Sequence, residues 1–308
     1  MDGETAVELA KLGSTLLFLG VPQYTLIGID TQMVSVGPAF KGIKMIPPGP
    51  HFVYYSSSTR DGNDFSPITG FFVHSGSSQV IVRKWDEQEE RLVKLPEEEE
   101  ERYCQAVRNW EFDRHLGPYN LSQYGDWKRL SNYITKSTIE RIEPIGGEIT
   151  VHLNLPCINT LLKRGIDGQQ LTSMNLDKTQ LLESVLLEDY GGSEDMLLGE
   201  LQFAFVAFLM GQSLEAFLQW KSLVSLLFGC TEAPFHTRSQ LFVKFIKMIH
   251  GFLLITFCII CLRNFFYFCK MPQLLMEIFC HGQGNSRRCL KAILDGNSSR
   301  TVQLMGYT

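Results

Sequence analysis

The sequence predicts an α+β chain of two modules, a β-sandwich-like N-terminal domain followed by an α-helical C-terminal domain. Three observations predict it. Short apolar runs separated by turn residues fill positions 14 to 83, apolar residues recur at helical spacing from 120 onward, and one stretch, 199 to 210, is apolar nearly throughout. With 308 residues, 44% of them hydrophobic, the chain can fill two cores.

The strand-like runs are Ser14 to Leu19, Tyr24 to Ile29, Met33 to Val36, His51 to Tyr55, Gly70 to His74 and Gln79 to Arg83. Between them stand Gly20-Val21-Pro22, Gly37-Pro38, Pro47-Pro48-Gly49-Pro50, Asp61-Gly62 and Gly76. Proline lacks an N–H and fixes φ, so each cluster stops one ladder before the next begins. Gly42 and Gly49 are expected at positive φ, and Pro47-Pro48 in an extended turn.

Trp85 to Arg102 is charged, and the acidic run Glu97 to Glu101 after Pro96 suits a helix N-terminus, where the dipole favours negative charge. Trp127, Leu130, Ile134, Ile139 and Ile142 then place closing helices between Asn120 and Arg141. The first domain is therefore expected over 1–141. Pro144, Gly146 and Gly147 open a linker over 142–174 with one possible strand, Glu148 to Leu153.

A helical domain is expected over 175–247. Leu176, Leu181, Leu182 and Val185 share one helix face. The apolar stretch Leu201 to Leu209 implies a helix buried on all sides. Gly211 ends it, Ser213 caps the next, and Leu214, Phe217, Leu218, Val224 and Leu227 complete an αα-hairpin. Leu241, Phe242, Phe245, Ile246 and Ile249 mark a third helix after Pro234.

Charge and cysteine content exclude several functions. The formal net charge is −5, so there is no global positive field to hold a phosphate backbone. Residues 1 to 250 carry 22 Lys/Arg against 31 Asp/Glu, while residues 251 to 308 carry 6 against 2. Cys104, Cys157 and Cys230 show no disulfide framework, and Cys258, Cys261, Cys269, Cys280 and Cys289 crowd the tail. With no secretory signal at the N-terminus, a reducing cytosolic or nuclear setting is expected, and the sequons at Asn120 and Asn297 read as chance matches.

No nucleotide-binding, zinc-protease or serine-hydrolase motif is present, and Gly282-Gln283-Gly284 lacks a third glycine. His51 and His74 sit in strand-like runs and read as satisfied, partly buried imidazoles. Asp113 and His115 are too close in sequence to face one another as a catalytic pair, so a turn held by local hydrogen bonds is expected there. Cys258 and Cys261 have zinc spacing but lack a second ligand pair. No catalytic, cofactor-binding or metal-binding residue is expected.

Three groups of strings carry a resemblance. The first is Gly28-Ile29-Asp30, then Val36-Gly37-Pro38-Ala39-Phe40-Lys41-Gly42-Ile43-Lys44-Met45-Ile46-Pro47-Pro48-Gly49-Pro50-His51-Phe52, with Tyr55-Ser56 and Gly70-Phe71-Phe72. The second is Phe112-Asp113-Arg114-His115-Leu116-Gly117-Pro118-Tyr119 with Trp127-Lys128. The third is Leu198-Gly199-Glu200-Leu201-Gln202-Phe203-Ala204-Phe205-Val206 with Glu215-Ala216-Phe217 and Trp220-Lys221. Over roughly residues 14 to 247 the chain resembles the Aar-two (AAR2) family of spliceosomal U-five snRNP assembly factors, in a plant-type form. The resemblance implies a VHS-like helical domain and a non-catalytic role. It further implies a partner, the Prp-eight-type scaffold protein, bound at its RNase-H-like and Jab/MPN domains so that the Brr-two helicase and RNA do not engage early. It assigns no contact residues.

From about Met248 the chain is expected to leave the family pattern. Its Phe/Cys/Ile/Leu bias matches translated thymine-rich noncoding sequence, so 248–308 reads as intron translation or an isoform end. A tethered cytosolic adaptor anchored by 252–269 is the rival reading. Its uninterrupted apolar run, Phe252 to Leu262, falls short of the roughly 20 residues that span a bilayer. If 248–308 is a genuine tail, its apolar surface is expected to lack a packing partner.

Overall fold

The protein is described by a computed structural model that covers residues 12–58, 64–144, 147–150, 177–234 and 237–263, with side chains to residue 252. The described chain forms two compact units. The first takes 12–128, 135–150 and the short turn 210–213; the second takes 129–134, 177–209 and 214–263.

In the first unit, β1 (Ser14–Leu19), β4 (Gly42–Ile46), β7 (Val80–Asp86), β8 (Arg91–Val93) and β9 (Leu116–Pro118) form a five-stranded sheet in the order β8-β7-β1-β4-β9. The strands β2 (Leu26–Ile29), β3 (Gln32–Ser35), β5 (Gly49–Ser56) and β6 (Thr69–Ser75) form a second, ordered β3-β2-β5-β6. β1 runs parallel to β7, and β4 parallel to β9; the other pairings are antiparallel.

Side-chain alternation along a strand sends every second residue to one face. Leu16 and Phe18 of β1, Ile43 and Ile46 of β4, Val53 and Tyr55 of β5, and Phe71 and Val73 of β6 meet in one buried cluster, the filling of a sandwich. Leu17 and Val82 point the other way, into a second cluster with Cys104 of helix α1 (Glu97–Arg108). The acidic run does begin that helix, directly after Pro96. Phe52, Tyr54 and Phe72 are buried on the opposite face of the second sheet. Being covered on both faces, β5 reads as a continuous apolar run rather than an alternating one.

The six expected strands of positions 14 to 83 are present, within about three residues at their ends. Three more, β4, β8 and β9, are additions to the sequence reading. Gly42 has φ +154° and Gly49 φ +135°, as expected. At Gly42 a Cβ would strike the Leu16 carbonyl, so the β1–β4 approach requires glycine there. Helix α2 (Tyr124–Ser131) follows a 3-10 turn at Leu121–Gln123, and α3 (Lys136–Ile142) starts at a capping box on Thr135. Of the expected linker, only 142–144 and 147–150 are described, and Ile149 makes an isolated bridge to Gly70. The remainder of the possible strand to Leu153 lies outside the described residues.

The second unit contains α4 (Thr179–Tyr190), α5 (Glu194–Leu209), α6 (Leu214–Phe228) and α7 (Ser239–Arg263). α5 is buried on every side from Leu197 to Ala207, as its composition requires. It pairs with α6 as the expected hairpin, and both α4 and α7 pack against it.

α7 corrects one expectation. The helix, marked in sequence as far as Ile249, continues beyond the expected domain end at Lys247 to Arg263. Met248, Ile249 and Phe252 are buried, and the Phe252 ring stacks on Phe205 at 3.9 Å with planes 6° apart. The start of the supposed tail therefore has a packing partner in the helical core. Residues 264–308 lie outside the described residues. Among the described residues no helix is long and apolar enough to cross a membrane.

Candidate functional site

The first and second groups of strings converge on one buried node. Asp30 occupies the two-residue β2–β3 turn at φ +56°, a left-handed conformation that Asp tolerates. Its Oδ1 accepts from the Phe52 N–H at 3.0 Å. Its Oδ2 lies 2.7 Å from His51 Nδ1 and accepts from the Tyr119 hydroxyl at 2.6 Å. On the other side of the ring, His51 Nε2 lies 2.6 Å from the Pro47 carbonyl oxygen.

Both imidazole nitrogens thus face acceptors, which a neutral ring beside a carboxylate cannot satisfy. Burial alone would lower the His51 pKa. The Asp30 charge, the hydrogen bond to it and the Pro47 carbonyl outweigh burial and raise it. Burial first, and then the Asp30 charge, push the Tyr119 phenol up, so it remains a donor. Trp127 and Tyr124 stack on the imidazole at 6.3 and 6.5 Å. The grouping has the composition of a catalytic array, yet Asp30 and His51 are 0% exposed and no substrate reaches them. It is a structural ion pair. His51 is therefore satisfied as expected, but fully buried and joined to residues far along the chain.

His115 makes more contacts than its sequence suggests. The turn Asp113–His115 has the expected local bonds, from the Asp113 N–H to the Trp110 carbonyl at 3.2 Å and from the His115 N–H to the Phe112 carbonyl at 2.8 Å, and long-range ones besides: His115 Nδ1 lies 2.8 Å from the Ala39 carbonyl, the Lys41 N–H donates to the His115 carbonyl at 2.8 Å, and Lys44 pairs with Asp113. Asp113 and His115 play separate parts, as the sequence required. His74 is exposed. Cys258 and Cys261 lie on α7, and no metal-holding cluster occurs among the described residues.

The third group builds a second buried node. Gln202 of α5 accepts from the Tyr133 N–H at 2.7 Å and donates to the Arg129 carbonyl and to Asn132 Oδ1 at 3.2 and 2.7 Å. Glu200, two residues earlier and on another face of the helix, accepts from Gln219 of α6. Two polar residues inside an apolar helix are thereby satisfied, and they fix what the helix packs against.

With these strings committed to the interior, the surface offers other residues. α1 ends in a Schellman motif: the Trp110 N–H donates to Val107 and the Glu111 N–H to Ala106. The residue that must turn left-handed is Trp110, at φ +65°. α4 ends with glycine, Gly191, in the same conformation at φ +57°. A bulky side chain there costs about 1 to 3 kcal/mol, and Trp110 is nevertheless 66% exposed. Sequence reasoning missed it. The available signal was a helix that runs out at Arg108 with no glycine before Gly117.

The chain thus defines a class: a β-sandwich unit and a helical unit whose recognisable strings build interior contacts rather than an open reactive site. A sequence model of the AAR2 N-terminal domain matches residues 12–144, and one of the AAR2 C-terminal repeat region matches residues 158–266. The chain belongs to the AAR2 family. It is 30% identical to the mouse and human proteins named Protein AAR2 homolog, over 299 residues that span 81% of this chain and 78% of each relative. To the Protein AAR2 homolog of Caenorhabditis elegans it is 29% identical over 285 residues, 77% of each chain.

Proposed function

We propose that this protein is a non-catalytic assembly factor of the spliceosomal U-five snRNP, working in cytoplasm and nucleus. It binds the Prp-eight-type scaffold at the RNase-H-like and Jab/MPN domains and thereby delays engagement of the Brr-two-type helicase and RNA. The observation that carries the reading is the family match across both units. The sealed Asp30–His51–Tyr119 node agrees with it, because a protein acting by surface occupancy uses shape and area rather than reactive groups. In the same reading the helical unit is VHS-like, separated from the β-rich unit by a linker over 142–174. Immobilised full-length protein should retain purified scaffold domains and reduce helicase capture in competition. Retention of neither domain by folded protein would overturn the proposal.

A further inference from the structure

We infer that Trp110, together with Arg114 and Lys41, forms a docking surface for an acidic, apolar-bearing protein segment. The inference deepens the assembly-factor reading and rests on it, by naming the face that meets the scaffold.

Two independent observations support it. The first is conformational: Trp110 holds a left-handed backbone that glycine would adopt freely, and the ring is not used to fill the core. Asn109, a residue tolerant of that conformation, stands one position too early to take it. Strain at an exposed aromatic points to a role outside folding, and tryptophan is the side chain most enriched at binding hot spots.

The second is charge. The segment 112–115 is bound to 39–44, which brings Lys41 and Lys44 beside the turn that carries Arg114. Lys44 is engaged by Asp113, and Arg108 by Glu101. Lys41 instead lies 5.4 Å from the Phe112 ring centre, and neither Lys41 nor Arg114 has a carboxylate partner among the described residues. Two cations without a carboxylate partner thus stand on the strand and turn that adjoin the segment carrying the exposed indole, so a partner carrying carboxylates next to an apolar side chain is the complementary one. Glu111, Asp113 and Glu101 interrupt the positive charge, which argues for a protein rather than a nucleic-acid strand.

The test uses full-length protein and purified scaffold domains. Binding of the wild type examines the function proposed above; the ratio of variant to wild type examines this inference. Trp110→Gly should weaken binding at least tenfold while leaving the melting temperature equal or higher, since glycine relieves the backbone. A loss of binding with a lowered melting temperature would assign Trp110 to the fold and overturn the inference. Arg114→Glu with Lys41→Glu should also weaken binding, and the wild-type affinity should fall with added salt. Of the four tryptophans, Trp85, Trp127 and Trp220 are buried, so iodide quenching reports on Trp110. Complex formation should protect it. Wild-type binding that survives Trp110→Gly undiminished overturns the inference and leaves the function standing; no wild-type binding removes both. Protection of Trp110 by a single-stranded RNA oligonucleotide, with none by the scaffold domains, would also refute the protein partner.

Discussion

Replacing His51 by leucine tests the buried node most directly. The substitution keeps an apolar side chain of similar reach, but it removes the cation facing Asp30 and one of the two donors to the Pro47 carbonyl, the other being the Ser75 hydroxyl. The Asp30 carboxylate keeps the Phe52 N–H and the Tyr119 hydroxyl, yet at 0% exposure it gains no water in return. Breaking a buried pair on one side costs about 3 to 5 kcal/mol, a large share of the roughly 5 to 15 kcal/mol that stabilise a domain. The pH dependence has a definite sign. The folded pKa of His51 is raised above its unfolded value of 6.5, so the stabilisation is complete below pH 6.5 and is lost as pH rises through the folded pKa. Urea unfolding followed through the buried Trp85 and Trp127, repeated at several pH values, should show this decline in the wild type. Asp30→Asn, which tolerates the left-handed turn, should flatten it. An NMR titration in which the His51 ring loses its proton below pH 6.5 in the folded protein would refute the ion-pair reasoning, as would a leucine variant as stable as the wild type.

Three other changes probe separate contacts. Gly42→Ala forces a methyl group into the Leu16 carbonyl, so thermal melting should show more than about 1 kcal/mol of destabilisation; an unchanged melt would mean that β1 and β4 are not so close. Gln202→Leu removes the acceptor of the part-buried Tyr133 N–H, at up to about 1 to 3 kcal/mol, and amide exchange at Tyr133 should accelerate. Phe252→Ala removes the ring stacked on Phe205, and unfolding should report a loss of about 3 to 5 kcal/mol. A neutral result there would place 248–252 outside the core.

The parts of the fold that were legible in sequence are those in which local pattern and tertiary environment agree. Ser14–Leu19 and Thr69–Ser75 are apolar runs bounded by turn residues, and α5 declares its burial by composition. β8 and β9 escaped because each is three residues long with one buried side chain, Leu92 or Leu116, and takes its strand character from the neighbour it pairs with. β4 was hidden by its own Gly42 and Lys44 and by the prolines that follow. The histidine at 51 could be read as satisfied, but its partners at 30 and 119 are joined to it only by the closing of the sandwich. Trp110 carries no pattern at all, since the need for a left-handed residue depends on where α1 stops. The partner-free tail was misjudged at its start because a Phe/Ile/Leu bias does not reveal that Phe205 waits for a stacking ring.

The central place of β1 bears on how the chain is made. Ser14–Leu19 is made before both of its neighbours in the finished sheet, β4 and β7, whose paired residues arrive up to Lys84. Its six residues, Ser-Thr-Leu-Leu-Phe-Leu, carry neither charge nor proline, a composition prone to pair with whatever strand is at hand. During synthesis one edge of this ribbon can be covered once β4 is made, but the other stands unpaired until some sixty-five further residues have followed Leu19. Slower translation through that interval would lengthen the exposure, and insoluble product should rise with it.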